Sequence, residues 1–162
     1  MSEPLIVRVS TSPVVTWIIR HVASHLDPVL FRASNGRFTS MGVPSMPMLT
    51  LTARGRRSGK ARSVHLACLE DGADYLVVAS AMGQERHPGW KYNLDANPEV
   101  EVQVQGRRFP ARAQMLGESD REAVWPRIHA AIPQMRVYEG RTARNIRVYR
   151  LSPRAEGRPG EN

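Results

Sequence analysis

"PMLTLTARGRRSGKARSVHLACLEDGADYLVVAS", residues 47–80, decides the fold. Its first part alternates apolar residues with threonine, the period of a strand with one buried face, and ends at Gly55. The stretch 61–72 answers it, with Val64, Leu66 and Cys68 sharing one face. Asp71-Gly72 is turn chemistry, and "ADYLVVAS" then reads as an almost wholly apolar third strand. Three strands joined by tight turns are antiparallel neighbours, because parallel neighbours need a long crossover.

The same pattern continues downstream. Pro88 to Ala96 predicts a short helix stopped by Asn97-Pro98. "EVEVQVQ" alternates strictly, with Val100, Val102 and Val104 on one face, and Gly106 turns the chain into "RRFPARAQML". Ser119-x-x-Glu122 has the form of a capping box and predicts a helix start at Ser119, broken by Ile132-Pro133. "NIRVYRL", residues 145–151, supplies a sixth strand. Upstream, Ser12 and Pro13 open a helix over 13–33 whose apolar face carries Val14, Trp17, Ile18 and Val22. The expected class is therefore mainly β with α: a six-stranded antiparallel barrel with an N-terminal helix and two or three short helices. One domain spans 1–152, and residues 153–162 are a polar, flexible tail.

Composition narrows the function. The 162 residues carry a net charge of +8, and all but two of the 23 cations are arginine, lysine standing only at Lys60 and Lys91. Arginine's planar fork suits phosphate and carboxylate, so an anionic ligand is expected. The chain has no apolar run long enough for a membrane span and no secretory signal pattern at Met1-Ser2-Glu3-Pro4. The single cysteine, Cys68, excludes an internal disulfide framework and reads as a small buried hydrophobe. The expected location is the cytoplasm, with peripheral membrane contact through the amphipathic helix around Trp17 and Ile18 left open. His21 and His25 lack a third ligand at useful spacing, so no metal site is expected. Aromatic residues make up 6% and no nucleic-acid-binding motif appears, so no specific nucleic-acid partner is expected. Walker and dinucleotide glycine motifs are missing, and Ser80 lacks the glycine of a nucleophile elbow.

Two stretches carry candidate chemistry. In "GRRSGKAR", residues 55–62, glycines allow backbone amides to approach an anion while Arg57 and Arg62 clamp it. A plain solvated hairpin turn explains the same residues equally well. In "VASAMGQERHPGWKYNLDANP", residues 78–98, a strand ends at Ala79-Ser80, and His87-Pro88 starts a helix with free N–H groups. Trp90 either flanks a planar ring or packs beneath the helix.

Jointly, GR-[KR]-SG-x-x-R, V-A-S and H-P-x-W-x-x-N-L-x-A-N-P resemble the deazaflavin-dependent nitroreductase family, within the split β-barrel flavin and deazaflavin oxidoreductases. The resemblance covers most of the chain, from the leading helix to "YEGRT…VYRL". It implies a split barrel binding reduced coenzyme F420, with Arg57 and Arg62 on the phosphate-bearing tail and Ser58 and Gly59 shaping the loop. It implies Val78, Ala79, Ser80 and Gly83 along the deazaflavin, and His87, Pro88, Trp90 and Asn93 completing the pocket. Tyr138 faces substrate, and Tyr138 and Ser80 are the expected catalytic residues. Hydride passes to a small-molecule acceptor such as a quinone, enone or nitroaromatic, with Tyr138 or solvent supplying the proton. The chain departs from the family pattern at Ala81-Met82-Gly83, where relatives commonly have Lys-Gly-Gly, and at His65, where many have proline. Where His65 reaches the deazaflavin, it adds a titratable donor near the reactive ring. FMN or haem on the same barrel, or a non-enzymatic anionic-ligand or lipid-binding protein, are the alternatives. The resemblance allows a monomer or a homodimer.

Overall fold

The computed structural model describes residues 46–154, together with Val29 and Ala33. Apart from those two, both helical, the expected helix 13–33 lies outside the described residues, and with it the proposed membrane contact. Six strands form: β1 (Met48–Arg54), β2 (Ala61–Asp71), β3 (Asp74–Val78), β4 (Glu99–Val104), β5 (Arg107–Met115) and β6 (Val148–Pro153). They close into an antiparallel barrel in the order β1-β2-β3-β6-β5-β4. Closure leaves no unpaired strand edge among them. Within residues 46–154, three α-helices accompany the barrel: α1 (Gly89–Ala96), α2 (Glu118–Ala131) and α3 (Gln134–Gly140).

The strand period sorts the residues into two layers. Leu49, Leu51 and Ala53, then Cys68, Tyr75 and Val77, Val100, Val102 and Val104, Ala111 and Ala113, and Tyr149 and Leu151 fill the interior. Alternate residues point outward. Leu76, Val78 and Val148 pack there with Val124 and Ile128 of α2, Ile132, Met135 of α3 and Ile146. Burying each of the larger aliphatic side chains among these is worth roughly 1.5–3 kcal/mol, so both layers help hold the barrel and its helices together. Cys68 is 1% exposed, and burial pushes its thiol up to about 12, which makes it inert packing.

Helix α1 closes one end of the barrel. Leu94 reaches the interior cluster, and Trp90 packs edge-on against Tyr149 at 5.8 Å between ring centroids. The Tyr149 hydroxyl donates to Asp95 Oδ1 at 2.5 Å, and Lys91 pairs with the other carboxylate oxygen of Asp95 at 2.6 Å. Asn97 ends the helix, its N–H donating to the Asn93 carbonyl.

Several boundaries differ from the sequence reading. The capping box does not form: α2 begins at Glu118 after Gly117, and Arg121 N–H donates to the Gly117 carbonyl. Glu118 and Asp120 complement the helix dipole in that first turn, so the serine is not needed as a cap. Helix α3 follows the Ile132-Pro133 break, where the sequence shows only a stop. Pro153 and Arg154, assigned to the tail by composition, belong to the barrel. Arg154 N–H donates to the Pro110 carbonyl, and its guanidinium pairs with Glu99 at 2.6 Å.

Candidate active site

The loop between β1 and β2 is tightly folded. Gly55 N–H donates to the Lys60 carbonyl at 2.8 Å, and Gly59 N–H to the Gly55 carbonyl at 2.7 Å. A Cβ on Gly55 would lie 2.8 Å from Ser58 Oγ and 3.2 Å from the Lys60 carbonyl, so any larger residue would force the serine hydroxyl to turn and crowd the loop backbone. Arg56 N–H donates to Asn93 Oδ1 at 3.1 Å, which latches the loop to α1. Between them lies a cleft of about 560 Å3. The hairpin lines it with Gly55, Arg56, Arg57, Ser58, Arg62, Ser63 and Val64, and α1 lines it with Gly89, Trp90 and Asn93.

Among the described residues, no carboxylate lines this cleft. Arg57 and Arg62 are exposed, and among the described residues neither guanidinium has a hydrogen-bond or ion-pair partner. Arg56 lies 4.9 Å from the Tyr92 ring centroid. The first N–H groups of α1 add their partial positive charge at Gly89, where a Cβ would meet nothing within 4 Å. Every charged group among the described residues at the cleft is thus a cation.

A second group of expected residues forms around the turn after β3. Ala79 is fully buried and Ser80 is 9% exposed. Ala81 and Met82 follow with φ of 46° and 55°, in the left-handed region. For L-residues that conformation costs roughly 1–2 kcal/mol each, and it persists only where surrounding contacts impose it. Two contacts do so here. Gly83 sits against α3, where a Cβ would lie 2.7 Å from both the Tyr138 carbonyl and Arg141 Cβ. The Arg144 guanidinium donates to the carbonyls of Ala79 at 3.0 Å, Ser80 at 2.5 Å and Gln84 at 2.7 Å. It also donates to His87 Nδ1 at 3.1 Å. Burial lowers the pKa of His87, with Arg144, Lys91 and Arg147 adding to the effect against Asp95.

Tyr138 lies on α3, half-buried against the outer apolar cluster. Burial raises the pKa of its phenol against the opposing pull of Arg141, whose guanidinium lies 5.7 Å from the ring centroid. Helix α3 is tied to α2 by Glu139, which accepts from Trp125 Nε1 at 2.7 Å and lies 2.5 Å from His129 Nε2.

The expected residues thus fall into separate places. Arg57, Ser58, Arg62, Trp90 and Asn93 share the cleft. Ala79, Ser80, Gly83, His87 and Tyr138 meet around the Arg144-bound turn, and Pro88 leads into α1. Val78 packs in the outer apolar cluster. Gly59 lines a smaller cleft of about 340 Å3 behind the hairpin, beside Arg54 and Glu99. His65 is on the outer face of β2, with Nδ1 3.4 Å from Thr50 Oγ1. Sequence reading missed Arg144 as a site residue. No local pattern marks it, since it binds carbonyls 60 to 65 positions away.

A closed six-stranded antiparallel barrel, with a cleft between its first hairpin and its closing helix whose described charged residues are all cations, defines a small split-barrel protein. Residues 26–153 match the family model of the F420H(2)-dependent quinone reductases, and the chain belongs to that family. It is 33% identical over 144 residues to the F420H(2)-dependent quinone reductase Rv1261c of Mycobacterium tuberculosis (strain ATCC 25618 / H37Rv), covering 85% of this chain and 97% of the relative. A solved F420-H2 dependent reductase, FDR-A, superposes with a TM-score of 0.61 at 36% identity, covering 65% of this chain and 94% of that one. A structure described as a domain-swapped dimer gives 0.63 at 32% identity, covering 77% and 95%. Membership makes the chain an oxidoreductase that uses reduced coenzyme F420. The donor set fits that cofactor: a phosphate-bearing tail needs cations and free N–H groups without competing carboxylates, which is what the cleft presents.

Proposed function

We propose that the protein reduces a quinone-like small molecule, an enone or nitroaromatic being accepted on the same chemical ground of electron deficiency. The observation that carries this reading is a cleft where, among the described residues, no carboxylate stands and two arginines have no protein partner, in a chain of this family. When bound, reduced F420 supplies a hydride. Arg57 and Arg62 bind its phosphate-bearing tail, Ser58 and Gly59 keep the loop folded, and Trp90 and Asn93 form the opposite wall. Val78, Ala79, Ser80 and Gly83 shape the ring end, with His87 and Pro88 leading to the cleft wall and His65 on the adjoining strand face.

Tyr138 and Ser80 serve the acceptor. Burial keeps the Tyr138 phenol protonated across the physiological range, so it holds a proton at Oη for transfer or hydrogen bonding to a reduced carbonyl oxygen. Ser80, buried at the end of β3, contributes through its hydroxyl at the same turn. Nothing here resembles a strong acid–base pair, which suits a reaction in which orientation lowers most of the barrier.

The test is a titration of the purified protein with F420 and, separately, FMN, followed by tryptophan fluorescence, since Trp90 lines the cleft. Binding of F420 in preference to FMN, with F420H2 oxidation that depends on added quinone, is expected. No response to micromolar F420 overturns the reading, and binding without quinone-dependent oxidation overturns the acceptor class.

A further inference from the structure

We propose that Arg144 is a positioning residue of the reductase site: it fixes the course of residues 79–87 and holds His87 in the tautomer that carries its proton on Nε2, as a hydrogen-bond donor to an oxygen of the bound redox molecule. The role of that donor rests on the proposed reductase function; the tautomer does not.

A guanidinium offers only donors, so the 3.1 Å contact between Arg144 Nη1 and His87 Nδ1 makes Nδ1 an acceptor. The neutral ring must then carry its proton on Nε2. Among the described residues that N–H has no hydrogen-bond partner, and the ring is part-exposed two positions before Gly89 of the cleft wall. The charged groups around the ring are Arg144 and Arg147 from the segment before β6, and Lys91 and Asp95 from α1. The edge of the ring meets Tyr92. Burial, joined by three cations against one carboxylate, lowers the pKa of the ring below its ordinary value of 6.5.

The same guanidinium binds both ends of the turn, at Ala79 and Ser80 on entry and Gln84 on exit. Between those anchors lie the two left-handed residues, Ala81 and Met82, whose conformation is not a local preference. One side chain therefore sets the backbone of the turn and the donor pattern of the histidine that follows. Lysine, with a compact ammonium, cannot span three carbonyls and an imidazole nitrogen in one plane.

Long-range proton–nitrogen correlation spectra of histidine-labelled, cofactor-free protein read the tautomer and titration of His87 directly. The wild-type ring is expected as the Nε2–H form, with a titration midpoint below that of an ordinary histidine. Arg144→Met should raise the titration midpoint and admit the Nδ1–H form. The same variant should slow single-turnover F420H2 oxidation about 10²-fold with Kd for F420 changed less than about threefold, because misplacement at the reacting centre is what is lost. His87→Gln, which keeps an N–H donor, should retain most of the rate that His87→Phe loses. An Nδ1–H wild-type ring, or an Arg144→Met protein with unaltered His87 titration, overturns the positioning role. Equal rates in His87→Gln and His87→Phe overturn the donor role. If Arg144→Met does not fold, the wild-type spectrum and the two His87 variants still decide. A protein that binds no F420 would refute the reductase reading and the donor role while leaving the tautomer measurement valid.

Discussion

Arg57 and Arg62, at the β1–β2 hairpin, and Arg144 stand at opposite extremes of how one side chain can be used. Arg57 lies exposed on a loop closed by its own backbone and Arg62 at the exposed start of β2, and no described protein group accepts from either guanidinium. Removing them costs the fold almost nothing, because exposed cations contribute little to stability. Arg144 is part-buried and donates to three carbonyls and an imidazole. Removing it strands acceptors that water reaches poorly, at roughly 1–3 kcal/mol for each buried group left unsatisfied. The first set is held ready for a ligand, and the second is spent on the protein itself. Arginine count alone, which dominates the composition, does not separate the two.

The largest effect that tests this contrast is on cofactor affinity. Arg57→Ala combined with Arg62→Ala should weaken F420 binding by about 3 kcal/mol or more, over a hundredfold in Kd, since charge-assisted hydrogen bonds are worth about 1.5–3 kcal/mol each. The melting temperature should stay within about 2 °C of wild type. Isothermal titration and thermal unfolding on the same preparation measure both. An unchanged Kd would place the tail elsewhere, and a large loss of stability would break the contrast with Arg144.

How much of this was readable in the sequence follows the range of each interaction. The strands were legible because their signal is local: Leu49, Leu51 and Ala53 alternate with threonine, and Val100, Val102 and Val104 alternate with Glu and Gln. Helix α1 was legible from its start near His87-Pro88 and its stop at Asn97-Pro98. The cationic cleft was half-legible, since "GRRSGKAR" shows the charges but not that Asn93 brings α1 across to wall them. The false capping box at Ser119 arose because the motif fits the sequence while Gly117 takes the cap position in the fold. Arg144 and the close approach of Gly83 to α3 were hidden, because each depends on partners tens of residues away.

Gly83 gives the next largest effect and probes the second region alone. A Cβ there would sit 2.7 Å from the Tyr138 carbonyl and from Arg141 Cβ, and φ is +77°. One of those two contacts is backbone, so the clash cannot be relieved by rotating a side chain. Gly83→Ala should cost about 1–3 kcal/mol of stability, a drop of roughly 2–10 °C in melting temperature. Quinone-dependent turnover should fall with it as the turn moves away from α3 and Tyr138. Binding of F420 through the hairpin cleft should be largely kept. If the substitution weakens F420 binding as strongly as the double arginine change, the cleft and the turn are one site rather than two cooperating ones.

The smallest effect concerns the helix that joins the two regions. Asp95 anchors α1 to the barrel through Tyr149 and to its own first turn through Lys91. Burial raises the pKa of this carboxyl, but the hydrogen bonds from Lys91 and Tyr149 outweigh that and leave it below 3.8. A carboxylate whose folded pKa is depressed stabilises the fold above its unfolded pKa, and that contribution disappears as pH falls through the folded one. The window is therefore below about pH 4. Because the carboxylate is 37% exposed, solvent screening keeps the effect below about 1 kcal/mol. Asp95→Asn should be slightly less stable than wild type at neutral pH, with the difference shrinking as the solution is acidified. Chemical denaturation at several pH values measures it. Trp90 and Asn93 reach the cleft from α1, and His87 lies just before it, so a loosened helix should raise KM for F420 slightly and disturb His87 as well. A change in one without the other would show that α1 serves only one region and that the turn around Arg144 holds His87 without its help.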